Sequence, residues 1–528
     1  MEAARELPKM SALFRPNNGR LLGLVAATSL LLIRHFASPI LWRLRLFFRQ
    51  RLLSLPPPSY CIASTNHRKW LQPILTRYGW RAGVPATATL VWQLAKVLLP
   101  KDTPPVLNAV PNLLLLDDKA VLALLTRRFT RTRPLVTHVL YGEWDDARVG
   151  ALRDKWADPN CSEPRWWIIK DAHASNGFSA ALFDRNARSI VKKDVAGGYC
   201  YVVQEYVERP MLVDGRKFEM RQYVLIRGDG SAYTYDGALM RLACVDYDAT
   251  SKDPRVHITN KYIQTGWEAQ SAEGRTLDDI ERLAHDWPLY KSLLTDQIVP
   301  IVADLADAVA PLIASGLQAA ERAQQKGASS SKGANGSGGS GGAVAAADRS
   351  RHFELFACDL VVSEEGKVDL MEVNINCAFG AFHPRTINRL VNPLFEDLVK
   401  LCVLPAAFGG KAEAGRWIQV REAGLLGSDG TSCIKSDVAS KELQEHQMYL
   451  AFKKSGKKKY ERQFVEREFL LSDVQREETP KEEGKCLKCG YFACVCAKKE
   501  EHPVCLDAGA VERRQIAAQP NSNALTRI

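Results

Sequence analysis

The stretch KVDLMEVNINC (367–377) places a carboxylate and an amide, Glu372 and Asn374, two residues apart in a mostly apolar run. Alternation along a strand puts both on one face. The longer segment FACDLVVSEEGKVDLMEVN (356–374) has the form of a β-hairpin whose turn signal is Glu364-Glu365-Gly366-Lys367. With the pairing centre between 365 and 366, Asp359 falls opposite Glu372, and facing Cβ atoms in such a pair lie about 4.5–5.5 Å apart. Like charges that close are destabilising unless something neutralises them. Two carboxylates and an amide oxygen at the end of a strand pair form a hard, oxygen-rich set suited to Mg²⁺. The register is an inference, and a hairpin with both acids facing water satisfies the same sequence.

Mg²⁺ held by carboxylates usually binds nucleotide phosphates as well, and the chain supplies cations for them. In RKFEMRQYV (216–224), Lys217, Glu219 and Arg221 follow at i, i+2 and i+4 and share a strand face. Three charges on one face of an otherwise apolar strand indicate either a polar cleft or an exposed salt-bridge ladder. Lys170 ends the apolar run WWII and is a second phosphate contact by the same reasoning. The loop after it, DAHASNG, can fold over a triphosphate, although it holds a single glycine, Gly177.

The elements that must position these groups are visible as strands: WWIIK (166–170), SAALF (179–183), YCYVVQEYV (199–207), KFEMRQYVLI (217–226) and SAYTYDG (231–237), with the hairpin above closing the set. FEDLVKLCVL (395–404) has the pattern of a closing helix, and 286–324 has helical spacing. PPPS (56–59) marks a boundary, and 60–140 reads as a small α/β domain. The expected organisation is a basic extension over 1–55, an N-terminal α/β domain over 56–145, a catalytic region over 146–410 and a charged extension over 411–528. GASSSKGANGSGGSGG (327–342) can bury nothing, which predicts a disordered insertion over 325–348.

At 528 residues with 46% apolar content the chain has material for a sizeable core. Its net charge of +11 suggests an acidic partner, with a basic protein that has none as the alternative. Of 13 cysteines, eight are scattered from Cys61 to Cys433 and five crowd the last 45 residues, a pattern of reduced thiols in a cytosolic protein. No Asp or Glu occurs from Leu7 to Lys101, and the apolar run LLGLVAATSLLLI (21–33) is short for a membrane span. That start fits a transit peptide, an interfacial anchor with membrane contact through 21–50, or an extension without fixed structure. The run KKSGKKK (453–459) is a solvated surface or a polyanion contact.

Taken in order, WWIIKDAHASNG, VVQEYVERPMLVDGRKFEMRQYVLI, the arginine of DGALMRLA, HITNKYIQ, FACDLVV and LMEVNIN resemble the motif set of the tubulin–tyrosine ligase family. WLQPILTRYGW (70–80) and LLLLDDKAVLALL resemble its N-terminal domain, so the likeness covers roughly 60–405. The resemblance implies an ATP-grasp fold, α/β in class, and an ATP-dependent ligase that joins an amino acid to tubulin's acidic C-terminal tail through an acylphosphate. It implies that Lys170 contacts the ATP phosphates, that Gln204, Glu205, Tyr206 and Val207 form the adenine-facing strand largely through backbone, and that Lys217 and Glu219 contact the nucleotide. Arg221 and Arg241 would hold substrate carboxylates, Thr259 and Asn260 would lie beside the γ-phosphate and substrate, and Asp359, Glu372 and Asn374 would bind Mg²⁺. Arg221, Arg241 and Glu372 are then the catalytic set.

Two departures stand out: Glu219 occupies a position where the family usually has Asp, and HASNGF lacks a second glycine. They keep a second expectation open, a non-catalytic member that binds tubulin or nucleotide. Tyrosine is slightly favoured as the added amino acid, with glutamate and glycine as alternatives. The expected location is the cytoplasm and the microtubule cytoskeleton, and no nucleic acid is expected as partner. In the tail, Cys486, Cys489, Cys494 and Cys496 have the spacing C-x2-C-x4-C-x-C, compatible with a structural Zn²⁺ or with free thiols in a mobile tail.

Overall fold

The computed structural model describes residues 56–84, 87–92, 106–141, 146–172, 180–184, 200–251, 253–264, 280–330, 346–375, 377–379, 382–424 and His446. The basic start, the loop HASNG, most of the glycine-rich insertion and the cysteine tail lie outside these residues.

Four short strands open the chain: β1 (Ser59–Ile62), β2 (Arg81–Ala82), β3 (Leu90–Trp92) and β4 (Val106–Asn108). Helix α1 (Thr65–Arg77) lies between the first two, capped by the Ser64 hydroxyl accepting from His67 N–H. A second group, β5 (Thr137–Tyr141), β6 (Trp166–Asp171), β7 (Ala181–Asp184) and β8 (Cys200–Glu205), forms an antiparallel sheet in the order β5-β8-β6-β7. The remaining strands are β9 (Leu212–Val213), β10 (Arg216–Arg227), β11 (Ala232–Leu242), β12 (Glu281–Leu283), β13 (His352–Val362), β14 (Val368–Ile375) and β15 (Trp417–Arg421).

These join β1–β4 in one large sheet, because the start of β13 pairs in parallel with β4. The boundary expected at 145/146 therefore separates neither sheet: β1–β4 extend the central one, and β5 pairs with β8 of the other. The short early strands gain stability by adding to a large sheet, since isolated strands of three or four residues cannot persist.

Long apolar helices cover both faces of β10 and β13, which explains why these strands are almost wholly buried. One face packs on α2 (Lys119–Thr126) and on α3 (Val299–Ser330), the other on α1 and a helical run over 384–408. The stretch Tyr290–Leu317 is long and apolar enough to cross a membrane, but it is mostly buried inside the protein, as a core helix is. Helix α3 continues to Ser330, so the first residues of the expected insertion prolong a helix. No disulfide joins any two of the seven described cysteines.

Glu354 on β13 is buried, and the Val110 N–H donates to its carboxylate at 3.4 Å. Burial pushes its carboxyl up from the ordinary 4.5 to about 8, against a smaller opposing effect of that hydrogen bond. The folded state thus resists ionising Glu354, and stability declines as pH rises from about 4.5 to about 8. Glu354→Gln should flatten this limb. Thermal melts from pH 5 to pH 8 should show the wild-type Tm falling about 5 °C further than the variant's, and parallel curves would contradict the assignment.

Candidate active site

The site begins with register. β10 pairs with β11 so that Glu219 faces Arg241, and with β13 so that Arg221 faces Asp359. β14 then sets Glu372 opposite Asp359. The polar row that crosses the sheet is thus built of two neighbouring rungs, Glu219–Arg241 and Arg221–Asp359–Glu372; alternation and mirror counting single out all of these but Arg241, which the resemblance supplies. The hairpin turn is Ser363–Lys367, closed by Ser363 N–H donating to Lys367 O at 2.8 Å, with Gly366 at φ 81°. That left-handed position is where a three-residue loop demands glycine.

A β-bulge shifts the register between Asp359 and Leu360, leaving Met371 as the extra residue. In consequence Leu370 and Met371 both line one cleft, which a regular strand would not allow. The cleft is narrow, its roughly 350 Å³ including open solvent and space too tight for a water. Leu122 and Ala123 of α2, with Leu135, Val202, Leu370 and Met371, give it apolar walls. Its polar lining is Lys119, Thr126, Thr137, Lys170 and Gln204. Apolar walls with a few convergent polar groups are the lining that a heterocyclic base favours.

Arg221 grips Asp359 in a bidentate pair, Nε to Oδ1 and Nη2 to Oδ2, both at 2.8 Å. Arg241 Nη2 reaches Asp359 Oδ2 at 2.8 Å and Glu219 Oε1 at 2.5 Å, the latter an ion pair without hydrogen-bond alignment. Burial alone would raise the Asp359 carboxyl, but the two guanidiniums outweigh it and hold the group at about 2. Glu219 is pushed the other way, up, by burial and by Asp359, despite Arg241 and a Thr259 hydrogen bond. Asn374 Nδ2 donates to Asp359 Oδ2 at 2.9 Å, and Lys119 Nζ lies 3.9 Å from Glu372 Oε1.

Two lysines sit behind this row. Lys217 is buried; its Nζ donates to Tyr206 Oη and His257 O, each at 3.0 Å, and lies 4.3 Å from the centre of the Tyr206 ring. Burial pushes its ammonium down to about 7, with Glu219 pulling back and Lys170 adding to the fall. Lys170 Nζ donates to Gln204 Oε1 at 2.9 Å, and desolvation lowers it to about 8 against the attraction of Glu372.

The structure brings Lys170, Gln204, Lys217, Glu219, Arg221, Arg241, Thr259, Asp359, Glu372 and Asn374 into one neighbourhood. Asn260 opens the short helix Lys261–Gln264, accepting from Ile263 and Gln264 N–H. The expected base-facing strand is shorter than its sequence pattern, since β8 ends at Glu205. There the Glu205 side chain accepts from Val136 N–H, while the backbone N–H groups of Glu205 and Tyr206 donate to Val136 O and Trp166 O. Sheet and loop pairing thus engage the N–H groups that a base would otherwise meet, and the side chain of Tyr206 turns toward Lys217 and His257.

Lys119 was missed by the sequence reading. Its signal lies in LLLLDDKAVLALL: Asp118 caps α2, and a cation directly follows, where the helix dipole disfavours one. A lysine there implies an anion nearby.

Among the described residues no group of three or more Asp, Glu, His or Cys is placed to hold a metal. Asp359, Glu372 and Asn374 offer the donor types that Mg²⁺ takes, two carboxylates and an amide, but here Arg221 and Arg241 hold both Asp359 oxygens and Asn374 presents its N–H to one of them. Phosphate oxygens and water complete such shells.

The sequence profile described as the tubulin-tyrosine ligase family matches residues 106–409. A probable tubulin–tyrosine ligase of Saccharomyces cerevisiae is 24% identical over 292 residues, covering 47% of this chain and 34% of its own length. A tubulin glycylase of Drosophila melanogaster is 24% identical over 255 residues, covering 48% and 23%. A tubulin polyglutamylase of Mus musculus is 25% identical over 255 residues, covering 46% and 17%. The chain thus spans between 17% and 34% of the length of these three relatives. With a mixed α/β fold, the site on its central sheet and a match over more than half its length, the chain belongs to the tubulin-tyrosine ligase family.

Proposed function

We propose that this protein is an ATP- and Mg²⁺-dependent ligase that adds an amino acid, tyrosine by preference, to the acidic C-terminal tail of tubulin in the cytoplasm. The observation that carries this reading is the polar row Glu219/Arg241–Arg221/Asp359–Glu372, set beside an apolar cleft and three lysines. The problem such an enzyme solves is charge, because a triphosphate and carboxylates must meet. Lys119, Lys170 and Lys217 would neutralise phosphates, and Arg221 and Arg241 would orient carboxylates. Asp359, Glu372 and Asn374 would hold Mg²⁺, which supplies charge neutralisation at the phosphates. The acceptor carboxylate oxygen attacks the γ-phosphorus and ADP leaves, giving an acylphosphate. The donor amine nitrogen then attacks the acyl carbon, phosphate leaves, and the amine's proton is lost to solvent.

In this reading Arg221 and Arg241 are held by Asp359 in the free protein. Substrate carboxylates compete for the outer faces of the same guanidiniums. Glu219, in place of a shorter acid, and the loop HASNGF support the second reading, a member that binds nucleotide or tubulin without ligating. Incubation with Mg-ATP, tubulin and a panel of labelled amino acids separates them. Tyrosine incorporation into the tail is expected; glutamate or glycine incorporation would reassign the donor. Absence of both incorporation and Mg-ATP binding would overturn the ligase.

A pH dependence follows from Lys217. A bound triphosphate favours its ammonium, so nucleotide binding near pH 8 should take up a proton. Affinity should fall from pH 7 to pH 9 by up to about tenfold per unit. Calorimetry in buffers of different ionisation enthalpy measures the uptake directly. Release of protons instead would contradict the role given to Lys217, and Lys217→Arg should remove its share of the dependence, leaving that of Lys170 above about pH 8.

A further inference from the structure

Beyond residue 424 the chain returns to the site at one described residue, His446, outside the region that matches the family. Its side chain is fully buried. Nε2 lies 2.8 Å from Asp118 Oδ2, Nδ1 lies 3.1 Å from Tyr141 Oη, and the two rings are 5.7 Å apart. An ionised carboxylate can only accept, so Nε2 carries the proton. Tyr141 Oη at Nδ1 completes a chain of contacts from Tyr141 through His446 to Asp118.

Asp118 is more than a partner for this histidine. Its Oδ1 caps α2 by accepting from Ala120 N–H at 2.8 Å and Val121 N–H at 3.4 Å. On one side of it, Asp117 Oδ1 accepts from Ile375 N–H at 3.2 Å, one residue past Asn374. On the other, Lys119 N–H donates to Ala172 O at 3.1 Å, two residues past Lys170, while its Nζ faces Glu372. Three consecutive residues therefore tie the strand of Glu372 and Asn374 to the strand of Lys170 and to the helix that walls the cleft.

We infer that His446 is a positioning residue of this site: it fixes the corner Asp117-Asp118-Lys119 and thereby aims Lys119 and the first turn of α2 at the cleft. A residue outside the region that matches the family thus helps to build the nucleotide site. The consequence for nucleotide rests on the proposed function; the clamp itself does not.

The test uses the full chain with His446→Ala and His446→Gln, the latter keeping an N–H donor for Asp118. Without nucleotide, amide exchange at Ala120 and Val121 should quicken about tenfold in the alanine variant and recover toward wild type with glutamine. Unchanged exchange in a folded alanine variant would overturn the clamp. With Mg-ATP, Kd should rise about tenfold in the alanine variant and less with glutamine. A lowered Tm with unchanged Kd would assign a purely structural role and also overturn the inference. Where wild type binds no Mg-ATP, the ligase reading falls while amide exchange still decides the clamp. If His446→Ala does not fold, Asp118→Asn keeps a capping oxygen, removes the charge that His446 meets, and carries the same readouts.

Discussion

Glu372→Gln is expected to lower ligation by about a thousandfold or more while leaving the fold intact. The two halves of this expectation have separate origins. Glu372 is one of two carboxylates in the candidate Mg²⁺ set, and removing a preorganised charge at a phosphoryl-transfer site typically costs 10²–10³ in rate, roughly 3–4 kcal/mol, before any loss of metal. Its contribution to stability is small: the side chain is 30% exposed and meets Lys119 only at 3.9 Å. A partly exposed pair at that distance is worth less than about 1 kcal/mol. Tm within about 2 °C of wild type, tubulin binding retained and labelled amino acid no longer incorporated is the expected set. Ligation at a tenth or more of the wild-type rate would remove Glu372 from the catalytic set and take the Mg²⁺ assignment with it.

Asp359→Ala is expected to do the opposite to the fold. Asp359 is 8% exposed and neutralises two guanidiniums that are themselves nearly buried. Deleting it strands Arg221 and Arg241 as like charges in a site with little water, which costs about 3–5 kcal/mol and of order 10 °C in Tm. The same pair predicts an acid limb. Because Arg221 and Arg241 hold the Asp359 carboxyl at about 2 in the folded state against an ordinary 3.8, its contribution is present above about pH 4 and is lost as pH falls through 2. Wild type should show this limb in acid-unfolding curves and Asp359→Asn should lack it. A Tm for Asp359→Ala close to that of Glu372→Gln would mean that water or Glu219 already screens the arginines.

Much of the site was legible because strand geometry has a period of two. Lys217, Glu219 and Arg221 were assigned to one face from spacing alone, and the register places Arg221 against Asp359 and Glu219 against Arg241. The Asp359–Glu372 pairing was also right, but for a reason the hairpin corrects. The count assumed a tight turn centred between 365 and 366. The actual turn closes from Ser363 to Lys367, which on its own would set Asp359 opposite Met371. The bulge at Met371 adds one residue and restores Glu372. Alternation and turn residues are local properties that a sequence carries openly, whereas a bulge answers to what packs against the strand.

The sequence by itself determined which residues were available for charge chemistry and which strand face held them, because side-chain alternation follows from backbone geometry within a few residues. Only the tertiary structure decided their partners. Arg221 and Arg241 close on Asp359 from strands more than a hundred residues away, Lys217 is buried against Tyr206 and His257, and Lys119 arrives at Glu372 from a helix. Distances, burial and hence the displaced ionisation of Lys217, Glu219 and Asp359 come from elements far apart in the chain. The physical reason is range: periodicity is set by neighbours along the backbone, but desolvation and Coulomb attraction are set by neighbours in space.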